Sequence, residues 1–477
     1  MKQEEPLPGY TGPRGLNFFE ADAELKAAVG ARVGKDGIER LWRFGALCGG
    51  ELGALIETAH QPQNLPILEN GAVRYCPEQK KARSLLARAV YGTPGLPLVE
   101  RLTLSVLANY DGEGGITCPL AMTEGLIGLL ERRGTPEQKK SDIPLLKSDA
   151  PDEALTGGQF VTERQGGSNV SANETVARSL PDGAYALTGL KWFCSNPGEL
   201  WVTTAKLEGT DVVGLFLVRR KLPDGKLNGH TLLRLKPICG TKGKATAEVE
   251  YKGARAELIG KPREGISILV RDILSVSRIH VAGAALGFMS RALLEAELFA
   301  DYRVAYGRKI KEYPSVARTL EHLRAERRAC LSAFYRMADA VDKDEPAAEW
   351  LVPTCKIEVS RRASALVREA QILIGGHGIL EDFSILPRLA HDAVVNEIWE
   401  GTHNILAGHA AKALRRPAVL KAVEGLLAPE DAPALRERVE RNRAMTEDER
   451  NIDDAELTAL SFSLLTGTTE RIESLNT

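Results

Sequence analysis

The sequence predicts a mostly α protein with a small β domain, and three observations predict it. Residues 1 to about 154 carry apolar residues at helical spacing. From Gln159 to about Lys261 the period shortens to that of brief strands. After Gly265 the helical spacing returns. The resulting partition is 1–154, 155–264, 265–415 and a charged helical extension, 416–477.

The first stretch is helical through Leu85–Val90 and Leu120–Ile127, and Thr135-Pro136-Glu137 joins a cap, a first-turn proline and an acid to open a further helix. Strand-like runs follow at Tyr185–Thr188, Trp201–Thr204, Val212–Val218 and Ala247–Tyr251. They are parted by the turn clusters Pro181-Asp182-Gly183, Asn196-Pro197-Gly198 and Pro223-Asp224-Gly225. Several short strands at this spacing predict a small barrel or sandwich. From Ile268 to Tyr306 the chain has almost no helix breakers, and Gly283 and Gly287 sit four apart, where another helix can approach closely. Pro314 starts the next helix, Lys343–Pro346 is a turn before a third, and Gly375-Gly376 ends that one. A fourth is expected from near Asp392 past Ala413.

Sixty-two Lys and Arg against 64 Asp and Glu give a net charge of −2, which excludes binding to nucleic acid by bulk charge. The seven cysteines are scattered without C-x-x-C spacing, so neither a disulfide framework nor a zinc site is expected, and the histidines form no metal set. The start, Met1-Lys2-Gln3-Glu4-Glu5, is not that of a secretory signal. The best apolar run, from Ile266, is interrupted by Arg271 and Asp272, so no membrane span is expected. A cytoplasmic location is the expectation.

Five segments can carry chemistry. Phe160–Asn169 holds a glycine-rich loop after a strand, suited to phosphate or to a plain turn. Lys191-Trp192-Phe193-Cys194-Ser195-Asn196 places aromatics beside a hydroxyl, as a flat heterocycle or a core strand end requires. Arg303–Arg308 ends a helix with arginines that can fork onto a pyrophosphate or complement the helix dipole. Gln371–Gly378 has three glycines where a helix cap needs one. Trp399-Glu400-Gly401-Thr402 sets a carboxylate in an apolar stretch, where it is either a surface group or, beside a dry cavity, a general base.

In this order and at about these separations, the five segments resemble the motifs of the acyl-CoA dehydrogenases: T-E-x-x-G-G-S, K-W-F-x-S-N, R-x-x-Y-G-R, G-G-x-G and W-E-G-T. Lys236–Lys242 resembles a further short barrel motif of that family, and the likeness spans roughly residues 100 to 415. The loop Thr162–Ser168 and the opening Asn17-Phe18-Phe19 are most similar to the AidB-type branch. The resemblance implies a helical bundle, a central β-barrel and a C-terminal four-helix bundle, with FAD as cofactor. It implies that Thr162 meets the flavin pyrimidine edge, that Gly167 and Ser168 cradle the pyrophosphate, and that Phe193 and Ser195 lie against the isoalloxazine. Arg303, Gln371, Gly375 and Gly376 would reach FAD held by a neighbouring subunit, which implies a homo-dimer or homo-tetramer. Trp399, Thr402 and Asn404 would also line the cofactor, and Arg278 and Gly401 the acyl-CoA substrate.

Glu400 matches the family's catalytic base, which takes the α proton of an acyl-CoA thioester while the β hydrogen leaves as hydride to flavin N5. An electron-transfer flavoprotein or another acceptor would follow. Members that carry the base on the earlier helix have it at the position of Ser277, which cannot serve. Three positions depart from the pattern: Asn169 replaces an aspartate, Ile379 an aromatic, and Gln371 lies one residue further from Gly375 than in the family. The alternatives are an acyl-CoA oxidase, or an AidB-like flavoprotein with a DNA-protective or binding role. From 412 to 477 there are ten Lys or Arg and thirteen Asp or Glu, so that tail repels phosphate.

Overall fold

The computed structural model describes residues 7–112, 115–150 and 153–468; residues 469–477, the end of the predicted extension, lie outside the described residues. The chain divides into two compact units. One comprises Ala54–Leu96 and Glu113–His280, the other Met1–Gly53, Pro97–Gly112 and Val281–Thr477.

In the first unit, alternating apolar residues build seven strands: β1 (Gly157–Phe160), β2 (Val176–Ser179), β3 (Tyr185–Ser195), β4 (Leu200–Leu207), β5 (Val213–Arg219), β6 (His230–Leu235) and β7 (Thr246–Leu258). The pairings β4–β2–β3–β7–β5 return to β4, so five strands close a barrel, with β1 beside β4 and β6 beside β7. Closure removes the exposed edges that a sandwich would keep. Its interior is filled by Phe160, Leu187, Trp201, Phe216, Val249 and Tyr251. Phe160 stacks on Trp201 at 5.1 Å, and the buried indole N–H donates to the Tyr251 hydroxyl at 2.8 Å. Helix Thr117–Arg133 lays Leu126, Ile127 and Leu130 against Leu200, Val202, Leu215 and Leu217 on the outside of the barrel. The predicted helix after Thr135 spans Pro136–Leu146 and opens with a full capping box to Gln138. Strands β2 and β6 were not expected, nor was the hairpin Ile67–Glu69/Ala72–Arg74. Asn70 and Gly71, both at positive φ, are the residues a two-residue hairpin turn favours.

In the second unit, Asn17 caps helix Phe18–Ala21, accepting from the Phe19 and Glu20 amides, and Phe18 and Phe19 are buried. The bundle helices are α1 (Ser275–Tyr302), α2 (Pro314–Asp342), α3 (Ala348–Ile374), α4 (Leu386–Ile398) and α5 (His403–Leu414). The boundary between the units falls within α1, after His280. Gly287 does admit a close neighbour. A Cβ there would lie 2.5 Å from the Val106 carbonyl oxygen of helix Leu98–Ala108. The buried Arg327 of α2 ties the N-terminal segment down, donating to Asp22 and, at 3.0 Å, to Glu24. The extension forms helices Pro417–Glu424, Ala432–Ala444 and Glu447–Thr466, packed on the same chain's bundle: Arg336 donates to the Leu426 carbonyl at 2.8 Å.

One expectation is corrected here, and one is refined. The helical stretch Pro262–Tyr302 is by length and composition apolar enough to cross a membrane even with Arg271 and Asp272 in it. Of its apolar window 83% is buried within the protein, as befits a core helix. The fourth bundle helix is not continuous from Asp392 past Ala413: it breaks between Ile398 and His403.

Candidate active site

The barrel supplies one set of predicted residues. Beyond β1, the Thr162 carbonyl accepts from the Trp192 amide of β3 at 2.8 Å, which sets the glycine loop beside the K-W-F-x-S-N strand end. Glu163 and Gly166 exchange backbone hydrogen bonds of 3.3 and 3.0 Å and close the loop. A Cβ on Gly167 would lie 2.5 Å from Thr162 Oγ1, so only glycine fits there. Gly167 and Ser168 are exposed and Thr162 half-buried. Strand alternation buries Cys194 and turns Phe193 outward, 49% exposed. Ser195 Oγ lies 3.2 Å from the Lys244 ammonium and 3.3 Å from Thr246 Oγ1. Ser277 and Arg278 are both buried on α1, and Ser277 Oγ accepts from Gln159 at 3.4 Å.

The loop is anchored by a buried ion pair that the sequence reading missed. Lys191 Nζ, fully buried, meets Glu163 Oε1 at 2.7 Å. The same carboxylate accepts from the Glu174 and Thr175 amides at 2.6 and 3.2 Å. Burial alone would raise the Glu163 carboxyl, but the Lys191 charge and these hydrogen bonds outweigh it and hold it below its ordinary value.

The bundle supplies the other set. The segment Trp399–Thr402, expected within a helix, is a sharp connection between α4 and α5. Glu400 has φ +59° and Gly401 φ +107°. Left-handed backbone at a glutamate is uncommon and costs about 1–3 kcal/mol, so it persists only where the surroundings impose it. Two neighbours flank it. Lys356 of α3, fully buried, donates to the Glu397 and Gly401 carbonyls at 2.8 Å each. On the other side Leu406 packs so closely that a Cβ on Gly401 would lie 3.0 Å from it. Glu400 itself is half-buried, Trp399 likewise, and Thr402 and Asn404 are exposed at the start of α5.

The remaining predicted residues fall on two turns of this unit. Gly375, φ +73°, ends α3, and neither Gly375 nor Gly376 has anything within 4 Å of where a Cβ would stand. Gln371 donates its amide to the Gly378 carbonyl at 3.1 Å, so it braces this turn. Arg303 does not end a helix: α1 stops at Tyr302, and Val304–Ala305 pairs with Arg308–Lys309 across a turn at Tyr306 and Gly307. Both turn residues have positive φ, as a two-residue hairpin turn favours.

A closed barrel with an open glycine loop, and a bundle whose fourth helix breaks at a glutamate, define the class of the acyl-CoA dehydrogenases. The family model described as the acyl-CoA dehydrogenase C-terminal domain matches residues 263–415. An acyl-CoA dehydrogenase of Bacillus subtilis is 30% identical over 280 residues, 57% of this chain and 70% of that protein. The chain belongs to the acyl-CoA dehydrogenase family. Acyl-CoA dehydrogenase family member 11 of Caenorhabditis elegans is 32% identical over 316 residues, 62% of this chain and 51% of that protein. The putative acyl-CoA dehydrogenase AidB of Escherichia coli is 32% identical over 320 residues, 64% of this chain and 58% of that one. The match thus spans little more than half the length of these two relatives. Among solved structures, Caenorhabditis elegans ACDH-11 in complex with C11-CoA superposes with a TM-score of 0.83 at 25% identity, covering 97% of this chain and 90% of that one. An acyl-CoA dehydrogenase complexed with FAD from Bacillus anthracis shares the fold, with a TM-score of 0.76 at 16% identity, covering 97% and 87%.

Proposed function

We propose that the chain is an FAD-dependent acyl-CoA dehydrogenase that forms a trans-2-enoyl-CoA, with Glu400 as its base. The observation that carries this reading is the left-handed backbone at Glu400, held between two helix ends. The residues present fit a flavin. The loop at Gly167 offers backbone N–H groups where no side chain fits, beside the Thr162 hydroxyl, and Phe193 offers an exposed aromatic face. FAD, when bound, supplies the acceptor for the β hydride.

The chain's own residues do the rest. Glu400 removes the α proton of the thioester, a weak carbon acid, and the Glu400 backbone N–H is offered to the thioester oxygen, where charge develops. Thr162, Gly167, Ser168, Phe193 and Ser195 hold the cofactor. Exposed Ile372, Ile379, Val304 and Tyr306, beside the Gly375-Gly376 turn and Arg303, support a homo-oligomer in which those residues meet a neighbour's cofactor. An electron-transfer flavoprotein or another acceptor then takes the electrons.

Anaerobic titration with short, branched and long acyl-CoAs, followed by flavin absorbance, tests the reading. Bleaching by one class is expected, and Glu400→Gln should slow it about 10⁴-fold while keeping the flavin. Bound flavin that no acyl-CoA bleaches would turn the reading toward a binding role. Protein that takes up no FAD would sink it.

A further inference from the structure

We infer that Lys356 is a positioning residue for the base: it holds the Trp399–Thr402 turn in the conformation that aims Glu400. This rests on the reading of Glu400 as base. Lys356 sits in the interior of α3, a place where lysine is ordinarily solvated, yet it is fully buried. Burying an ammonium is costly unless it is well bonded. It donates to two main-chain carbonyls, Glu397 and Gly401, which lie on either side of Glu400. The first belongs to the last turn of α4, where carbonyls lack helical partners and the helix dipole favours a cation. One ammonium thus replaces the helical hydrogen bonds that the break gives up.

Apolar packing supports the same turn. Ile357, next to Lys356, is buried with Leu406 and Ala407 of α5 in one apolar cluster, and Leu406 contacts Gly401. The turn's geometry therefore follows α3. His403, the first residue of α5, does not compete for this role: its burial, then the Lys356 and Arg361 charges, push it down to about 4, so it is neutral at pH 7. Its 3.7 Å approach to Glu397 is accordingly not an ion pair near neutrality.

The test separates proton abstraction from hydride transfer. Exchange of the α protons of a bound acyl-CoA analogue that cannot be dehydrogenated is followed by NMR in D2O, on FAD-loaded protein. Lys356→Met should keep its flavin and its affinity for the analogue, while exchange slows about 10²-fold, the effect of misplacing a reacting group by about 1 Å. Lys356→Arg, which keeps charge and donors, should recover a measurable part. Exchange in Lys356→Met within threefold of wild type would overturn the inference, as would a loss that merely tracks lost flavin. If Lys356→Met does not fold, Gly401→Ala decides, because it strains the same turn with the lysine in place. Wild-type exchange in that variant would overturn the claim that the turn's geometry sets the rate. Exchange absent from the wild type, or unchanged in Glu400→Gln, would overturn the reading of Glu400 and this inference with it.

Discussion

The loop at Glu163 and the turn at Glu400 are both held by a buried lysine, and they are held in opposite ways. Lys191 meets a carboxylate, and that carboxylate in turn accepts backbone amides of the next segment. Lys356 reaches past side chains to main-chain carbonyls. In the first case the glutamate is the anchor and is consumed by it. In the second the bonds go to the main chain on either side of the glutamate. The barrel-side lysine thus fixes a side chain, and the bundle-side lysine fixes a stretch of main chain.

Breaking the ion pair should give the largest stability effect. Lys191→Met leaves Glu163 buried beside no cation and is expected to cost about 3–5 kcal/mol in denaturant unfolding. The double variant with Glu163→Gln should regain part of that, since the uncompensated charge is then gone. Gly401→Ala should cost less, about 1–3 kcal/mol, from strain at φ +107° and contact with Leu406. Thermal unfolding would show whether the bundle-side turn is the softer of the two.

The smallest effect is a pH dependence confined to the barrel-side anchor. Glu163 titrates below its ordinary value of 4.5 in the folded chain. Its contribution to stability is therefore full above that ordinary value and is lost as pH falls through the lower folded one. The stability difference between wild type and Glu163→Gln should be flat from pH 7 to about 5, then shrink toward zero in acid. A difference that grew in acid would contradict the ion pair.

Some of this was legible in the chain. The cap at Thr135, the close approach at Gly287 and the turn before α3 are local signals, each written in one or two residues. Of the barrel strands β3, β4, β5 and β7 were found, β3 and β7 drawn short because Gly189 and Gly253 break their alternation, while the short β2 and β6 were not found. The break at Glu400 was hidden by apolar residues that keep helical spacing on both sides: Val394, Val395, Ile398, Ile405 and Leu406. Only Gly401 hinted at it. Lys191 and Glu163 are 28 residues apart and meet through barrel folding alone. Lys356 reads as an ordinary helix lysine until α4 and α5 are laid against it.

The interleaving of the two units bears on how the chain is made. The barrel unit has all its residues once position 280 has been synthesised. The unit holding the first residues must wait for Val281 onward, so Phe18 and Phe19, buried at the end, have no completed core until the last helices emerge. Such delayed burial exposes apolar surface during biosynthesis. Truncation from the C-terminus should accordingly spoil the N-terminal helices before it harms the barrel.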